Sequence, residues 1–172
     1  MIKLEAASLI PPAGLLEMLT ELGGGENGFG GTSVPSGRAT LEEYLRQCVE
    51  MPDPEKLAPG LVPQTIFWVL GDEGIAVGMV RMRHCLNDSL RIHGGHIGYF
   101  IRRDWRGKGY ATEALQLALE ELRMLGEPRA LLTTTPDNAR SIRVIERNGG
   151  RFEDAVTDPQ SGKVINRYWI EL

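Results

Sequence analysis

The chain has 172 residues, 42% of them hydrophobic and 24% charged, with a formal net charge of −4. That length suits a single domain over residues 1–172 with a core that needs no disulfide or metal staple. The acidic balance, the lack of a long basic run and the lack of any stretch near the ~18 apolar residues of a membrane span exclude sequence-independent nucleic-acid binding and a membrane helix.

The opening Met1-Ile2-Lys3-Leu4-Glu5 has neither the charged start nor the apolar core of a secretory signal, so a cytoplasmic location is expected. Ile2–Ala6 alternates as a first strand, and Gly14–Leu22 reads as a short helix after Pro11-Pro12 and before Gly23. Residues 23–31 hold six glycines and are expected to form a mobile loop. Thr40 is the N-cap of a helix over Leu41–Val49, and a proline-rich connector follows from Pro52 to Pro63. Thr65–Leu70 and Ile75–His84, joined by Gly71-Asp72-Glu73-Gly74, read as a hairpin, with a third strand over His93–Ile101. A helix over Gly109–Leu125 carries Ala111, Ala114, Leu115, Ala118, Leu122 and Leu125 as its core stripe, and Gly126 and Pro128 stop it. Strand Ala130–Thr135, a short helix after Asp137 and two strands, Phe152–Val156 and Val164–Ile170, complete an α/β (α+β) chain: a mixed, mainly antiparallel sheet with helices on its faces.

The junction between the third strand and the long helix, Arg102-Arg103-Asp104-Trp105-Arg106-Gly107-Lys108-Gly109-Tyr110-Ala111, is a basic, glycine-punctuated turn. A helix start leaves backbone N–H groups without partners and carries positive partial charge, so such a turn is suited to a polyphosphate. Gly109 after Lys108 removes the hydroxyl of a Walker loop, and Thr112 fills the place of the third small residue in a dinucleotide fingerprint.

The spacing Arg106-Gly107-Lys108-Gly109-Tyr110-Ala111 instead resembles the [QR]-x-x-G-x-[GA] pyrophosphate loop of the GNAT superfamily of acyl-CoA-dependent N-acyltransferases. Asn138-Ala139-Arg140-Ser141-Ile142-Arg143-Val144-Ile145-Glu146-Arg147-Asn148-Gly149 is similar to that superfamily's second segment, and the two together cover residues 97–152. The resemblance, which points to a bacterial branch of the superfamily, implies a GNAT fold and acetyl-CoA as co-substrate. It also implies transfer to a primary amine by direct attack in a ternary complex. The amides of Gly107, Lys108, Gly109, Tyr110, Ala111 and Thr112 are then expected at the pyrophosphate, with charge from Arg106 and Lys108. The main chain of Phe100, Ile101 and Arg102 is expected along the pantetheine arm, as an added strand would lie, and Asn138 and Ser141 near it.

Acyl transfer needs a base for the ammonium and a proton donor for the thiolate. His93 and His96, on the strand entering the loop, are the base candidates, and alternation assigns them to opposite faces. Many members carry a proton-donating Tyr seven residues after the Asn. Here that position is Ile145, which leaves Ser141, Asn138 or water. A covalent route through Cys85, beside His84, is the competing mechanism; otherwise Cys48 and Cys85 are ordinary thiols of a reducing compartment. Tyr168 or Trp169 is expected to shape the acceptor pocket, and carboxylates in 23–31 and 86–91 would suit a cationic amine. The acceptor, a small molecule or a protein N-terminus, is not specified, no metal is expected, and a homodimer through the aromatic last strand is possible. A non-catalytic CoA-sensing module and an ATP- or NAD-binding protein are the alternatives.

Overall fold

The computed structural model describes all 172 residues. Seven longer strands form two sheets. In the first, β1 (Lys3–Ala6), β4 (Gln64–Leu70), β5 (Ala76–Arg83) and β6 (Ile97–Ile101) lie in that order, every pair antiparallel. In the second, β9 (Val164–Glu171) lies between β7 (Arg129–Thr134) and β8 (Arg151–Thr157). The last strand is therefore interior and offers no free edge to a second chain.

α4 (Tyr110–Met124) covers one face of both sheets. Its stripe of Ala114, Leu115, Ala118, Leu119 and Leu122 is buried, and Val80, Met82, Ile97, Leu132, Tyr168 and Ile170 pack into the same core. The expected stripe errs at its end, because Leu125 is the exposed C-cap and Leu119 takes the buried place. α1 (Leu15–Leu22) and α2 (Leu41–Glu50), the latter capped by Thr40 accepting from the Glu43 amide, cover the opposite face of the first sheet. There Met18, Leu19, Tyr44, Ile66, Trp68, Met79 and Phe100 form a second core.

Three front-half segments depart from the sequence reading. Residues 23–31 are no loose loop: β2 (Gly25–Glu26) and β3 (Phe29–Gly30) pair across Asn27-Gly28, both at positive φ, as the two-residue turn that Asn-Gly favours. Phe29 is buried against Phe100, with ring centroids 6.2 Å apart. Residues Asp88–Ile92 form a short helix, α3, capped by the Asn87 carboxamide, so His93 lies beyond a helix end and not on a strand.

The two sheets meet where Gly94 and Gly95, at φ 114° and 60°, turn the chain into β6. There the His96 amide donates to the Leu131 carbonyl at 2.8 Å, and the Leu131 amide donates to His96 Nδ1 at 2.9 Å. A side chain at Gly95 would run into the same Leu131 carbonyl, so only glycine permits this approach. Past this junction β6 and β7 belong to different sheets, and a cleft opens between them.

His96 is 2% exposed, with Nε2 3.4 Å from Glu127. Burial lowers its pKa, outweighing the Glu127 carboxylate, and the neutral ring is the form that can accept from Leu131. Because the native pKa lies below the ordinary 6.5, the unfolded chain takes up the proton first. The stability is complete above that value and is lost as the pH falls through it toward the native pKa. His96→Ala, which orphans the Leu131 amide, is expected to cost about 1–3 kcal/mol and to lower Tm by about 2–10 °C. Thermal melts of both proteins from pH 8 to pH 5 should show the gap between them narrowing toward acid; a pH-independent gap would contradict the neutral-imidazole clasp.

Candidate active site

The cleft has a volume of about 860 Å³ and runs from the β2–β3 hairpin and the glycine turn to His93. At its mouth, Gly107 and Gly109 both take the left-handed conformation, at φ 78° and 83°. The turn and the first turn of α4 thereby present the amides of Gly107, Lys108, Gly109, Tyr110, Ala111 and Thr112 without a protein acceptor. Six successive free donors at the positive end of a fifteen-residue helix make a cradle for a phosphate or pyrophosphate. Lys108 is exposed beside it.

Arg106 is committed elsewhere in this structure. Its Nε donates to the Ile101 carbonyl at 2.8 Å, and its two terminal nitrogens grip Glu26 at 3.1 and 2.6 Å. That hydrogen bonding holds the Glu26 carboxyl below its ordinary range. The arginine expected at the phosphate thus ties the hairpin to the turn. Arg102 also leaves the cleft: it pairs with Glu21 of α1 at 2.9 Å and stacks on Trp105.

The register of β6 decides which main-chain groups face the cleft. The Arg102 amide donates to Val77, and Phe100 is in register with Met79 on β5, so the polar groups of Phe100 turn toward β5. Alternation leaves those of Ile97, Tyr99 and Ile101 on the free side. Of the expected Phe100, Ile101 and Arg102, only Ile101 offers its backbone to the cleft; Tyr99 is its companion.

Asn138 is the N-cap of α5 (Ala139–Arg147), its Oδ1 accepting from the Ser141 amide at 3.2 Å, and both residues line the cleft. The Ser141 hydroxyl lies 2.7 Å from the Tyr99 hydroxyl. Burial pushes the Tyr99 pKa up to about 12, only partly offset by Ser141, so the phenol keeps its proton at neutral pH. Ile145 is buried under Gly150.

Of the two histidines, His93 lines the cleft and His96 does not. The Gly94-Gly95 turn breaks the alternation that the sequence reading assumed. His93 Nδ1 is 3.2 Å from Asp158, whose pKa is held low by the Ser161 hydroxyl and the Gln160 amide, then by His93 itself. Neither cysteine borders the cleft; Cys85 is exposed, and burial raises the Cys48 pKa to about 11. Tyr168 is core, and Trp169 donates to Glu153 under Arg129, so neither shapes the cleft.

The sequence reading missed Tyr99, Asp158, the α5 arginines Arg140, Arg143 and Arg147, and the pair Arg81 and Arg83. For that pair a signal existed: Val80-Arg81-Met82-Arg83 places two cations on one face of a strand between two others. The cleft is lined by seven arginines and one carboxylate, Glu26.

A sequence profile of the Acetyltransferase (GNAT) domain matches residues 29–151. No curated protein matches the chain. Among solved structures, a GNAT-family acetyltransferase from Bacillus anthracis is 27% identical, with a TM-score of 0.51 over 62% of this chain and 65% of that one. A spermidine N-acetyltransferase chimera from Vibrio cholerae and hSSAT superposes with a TM-score of 0.68 at 19% identity, over 99% of this chain and 95% of that one. An aminoglycoside acetyltransferase in complex with coenzyme A gives 0.65 at 18%, over 99% and 95%. The split sheet, the glycine-turn cradle and the matched profile agree, and the chain belongs to the GNAT acetyltransferases.

Proposed function

We propose that this protein transfers an acetyl group from acetyl-CoA to a primary amine, by direct attack within a ternary complex. The observation that carries the reading is the row of six acceptor-free amides from Gly107 to Thr112 at the mouth of the cleft. It fits the diphosphate of coenzyme A, and Arg140, Arg143 and Arg147 stand along the same wall for further phosphate charge. The outward-facing backbone of Tyr99 and Ile101 suits an extended amide-bearing arm, although Arg106 must first release the Ile101 carbonyl if that oxygen is to be used.

Bound acetyl-CoA would supply the thioester carbonyl. The chain's own groups then divide the proton work. His93, oriented by Asp158, takes the proton of the incoming ammonium. Tyr99 and Ser141 form a paired hydroxyl donor at the cleft wall. With its pKa near 12, Tyr99 serves as a hydrogen-bond donor that stabilises charge developing on sulfur, and it stays protonated while doing so. Such a donor stabilises the leaving thiolate without protonating it; the proton released by the attacking nitrogen passes to the thiolate or to water, since Ile145 has none to give. A non-catalytic sensing module would need the cradle but neither the His93–Asp158 pair nor the hydroxyl pair, which favours the enzyme.

Acetyl-CoA at about 100 times its Kd should stabilise the fold by about 2.7 kcal/mol, raising Tm by about 5–10 °C. ATP and NAD⁺ should give less, and Gly109→Trp should lose the acetyl-CoA shift. Stabilisation by ATP or NAD⁺ with none by acetyl-CoA would remove the acetyltransferase assignment.

With an active acceptor in hand, Ser141→Ala and Tyr99→Phe should each lower kcat by about 10- to 100-fold with little change in the KM for acetyl-CoA. The double variant should be little worse than either single one, as expected of groups acting together. His93→Gln should lower kcat/KM by about 100-fold. Additive losses at Tyr99 and Ser141, or an unchanged kcat/KM without the His93 imidazole, would show that these groups act otherwise.

A further inference from the structure

Arg81 and Arg83 follow Met79 on the face of β5 that α1 and α2 cover, a side of the sheet otherwise packed with apolar residues. Neither has a carboxylate partner. Arg81 makes no hydrogen bond; its guanidinium rests 4.2 Å over the Phe29 ring. Arg83 donates only from Nη1, to the carbonyls of Gly94 and Gly95 at 3.1 and 3.2 Å, which sets it beside His93. Burial lowers the pKa of both, and the charge of Arg81 lowers that of Arg83 further, so the pair is held under mutual repulsion in a partly desolvated place.

Both side chains border two cavities at once: the cleft, and a second cavity of about 430 Å³ between α2, α3 and the segment before β4. No Asp or Glu lines that second cavity; its polar lining includes Thr32, Ser33, Gln47, Asn87 and Ser89. The Thr32 hydroxyl is buried and lacks a hydrogen-bond partner. The one carboxylate of the cleft, Glu26, is already neutralised by Arg106. Of the carboxylates expected to attract a cationic amine, Glu26 is engaged in this way and Asp88 borders neither cavity; the carboxylate near this end, Asp158, is paired with His93. The Phe29 ring and the Gly94 and Gly95 carbonyls offset part of the cost of desolvating the two guanidinium groups, but neither supplies a counter-charge, which an anion from outside the chain would.

The geometry points to an acceptor that carries an anionic group, carboxylate or phosphate, as well as its amine, with the anion seated between Arg81 and Arg83 and the amine toward His93. This rests on the acetyltransferase reading for the identity of the cleft, and it narrows the acceptor to amino acids or phosphate-bearing amines, against polycations.

After acetyl-CoA binding is verified, the test is calorimetric titration of the protein saturated with coenzyme A, which has no acetyl group to transfer, with paired probes: O-phosphoethanolamine against ethanolamine, β-alanine against β-alaninamide, and spermidine as the polycation. At least one anion-bearing probe should bind about tenfold or more tightly than its uncharged twin. The arm that binds distinguishes phosphate from carboxylate. Arg81→Gln and Arg83→Gln should remove that advantage while acetyl-CoA binds as in the wild type, and Arg81→Lys should restore part of it. The proposal is overturned if the twins bind alike, if none of the probes binds, if spermidine binds most tightly, or if the Gln variants keep the preference. Failure of acetyl-CoA to bind at all would instead strike the underlying acetyltransferase reading, and the preliminary binding step separates the two.

Discussion

Everything functional in this molecule depends on one junction, where Leu131 exchanges hydrogen bonds with the backbone and the ring of His96. In an ordinary sheet the second bond of that exchange would go to a carbonyl, and pairing would continue along the strands. Here an imidazole nitrogen supplies the acceptor, Gly95 lets the chains approach, and pairing stops after one contact. β6 and β7 then diverge into separate sheets under a common helix, α4, whose alanines and leucines pack against both. The divergence leaves one edge of β6 without a strand partner. Unpaired backbone groups are costly to bury and available to bind, so the cleft and its capacity for an extended ligand arise from the same interruption.

Charge is distributed against the net balance of the chain. The protein is acidic overall, yet its cleft is arginine-rich, and each arginine is held differently. Arg106 is neutralised by Glu26 and doubles as the tether of the β2–β3 hairpin. Arg102, which leaves the cleft, is spent on docking α1. The α5 arginines are exposed and well solvated, a modest cost for attraction at the phosphate end. Of the cleft arginines, Arg81 and Arg83 are the pair largely removed from water without a counterion, held by the Phe29 ring and by the Gly94 and Gly95 carbonyls.

In the proposed mechanism the hydroxyl pair supplies from another element a group that Ile145 cannot. Ile145 is pinned under Gly150, part of the core and unable to donate a proton. Tyr99 reaches Ser141 from the strand opposite, so a phenol still stands at the wall of the cleft, contributed by β6 instead of α5. His93 is similar: no strand positions it, and a carboxylate from the β8–β9 turn orients its ring.

Local pattern was sufficient wherever the physics is local. The glycine turn, the α4 stripe, the Thr40 cap, the Asn138 segment and the strand runs all act within a few residues, and each was legible in order along the chain. The hairpin at 25–30 was legible in principle from Asn27-Gly28, but the surrounding glycines masked it until Phe29 and Glu26 found Phe100 and Arg106. Contacts between distant segments decided the rest: which histidine meets the cleft, which amides of β6 are free, that Arg106 is occupied, and that Arg81 and Arg83 have no partner. Those properties depend on register, on where two sheets part and on which carboxylates fold within reach, and none of these is a function of neighbouring residues.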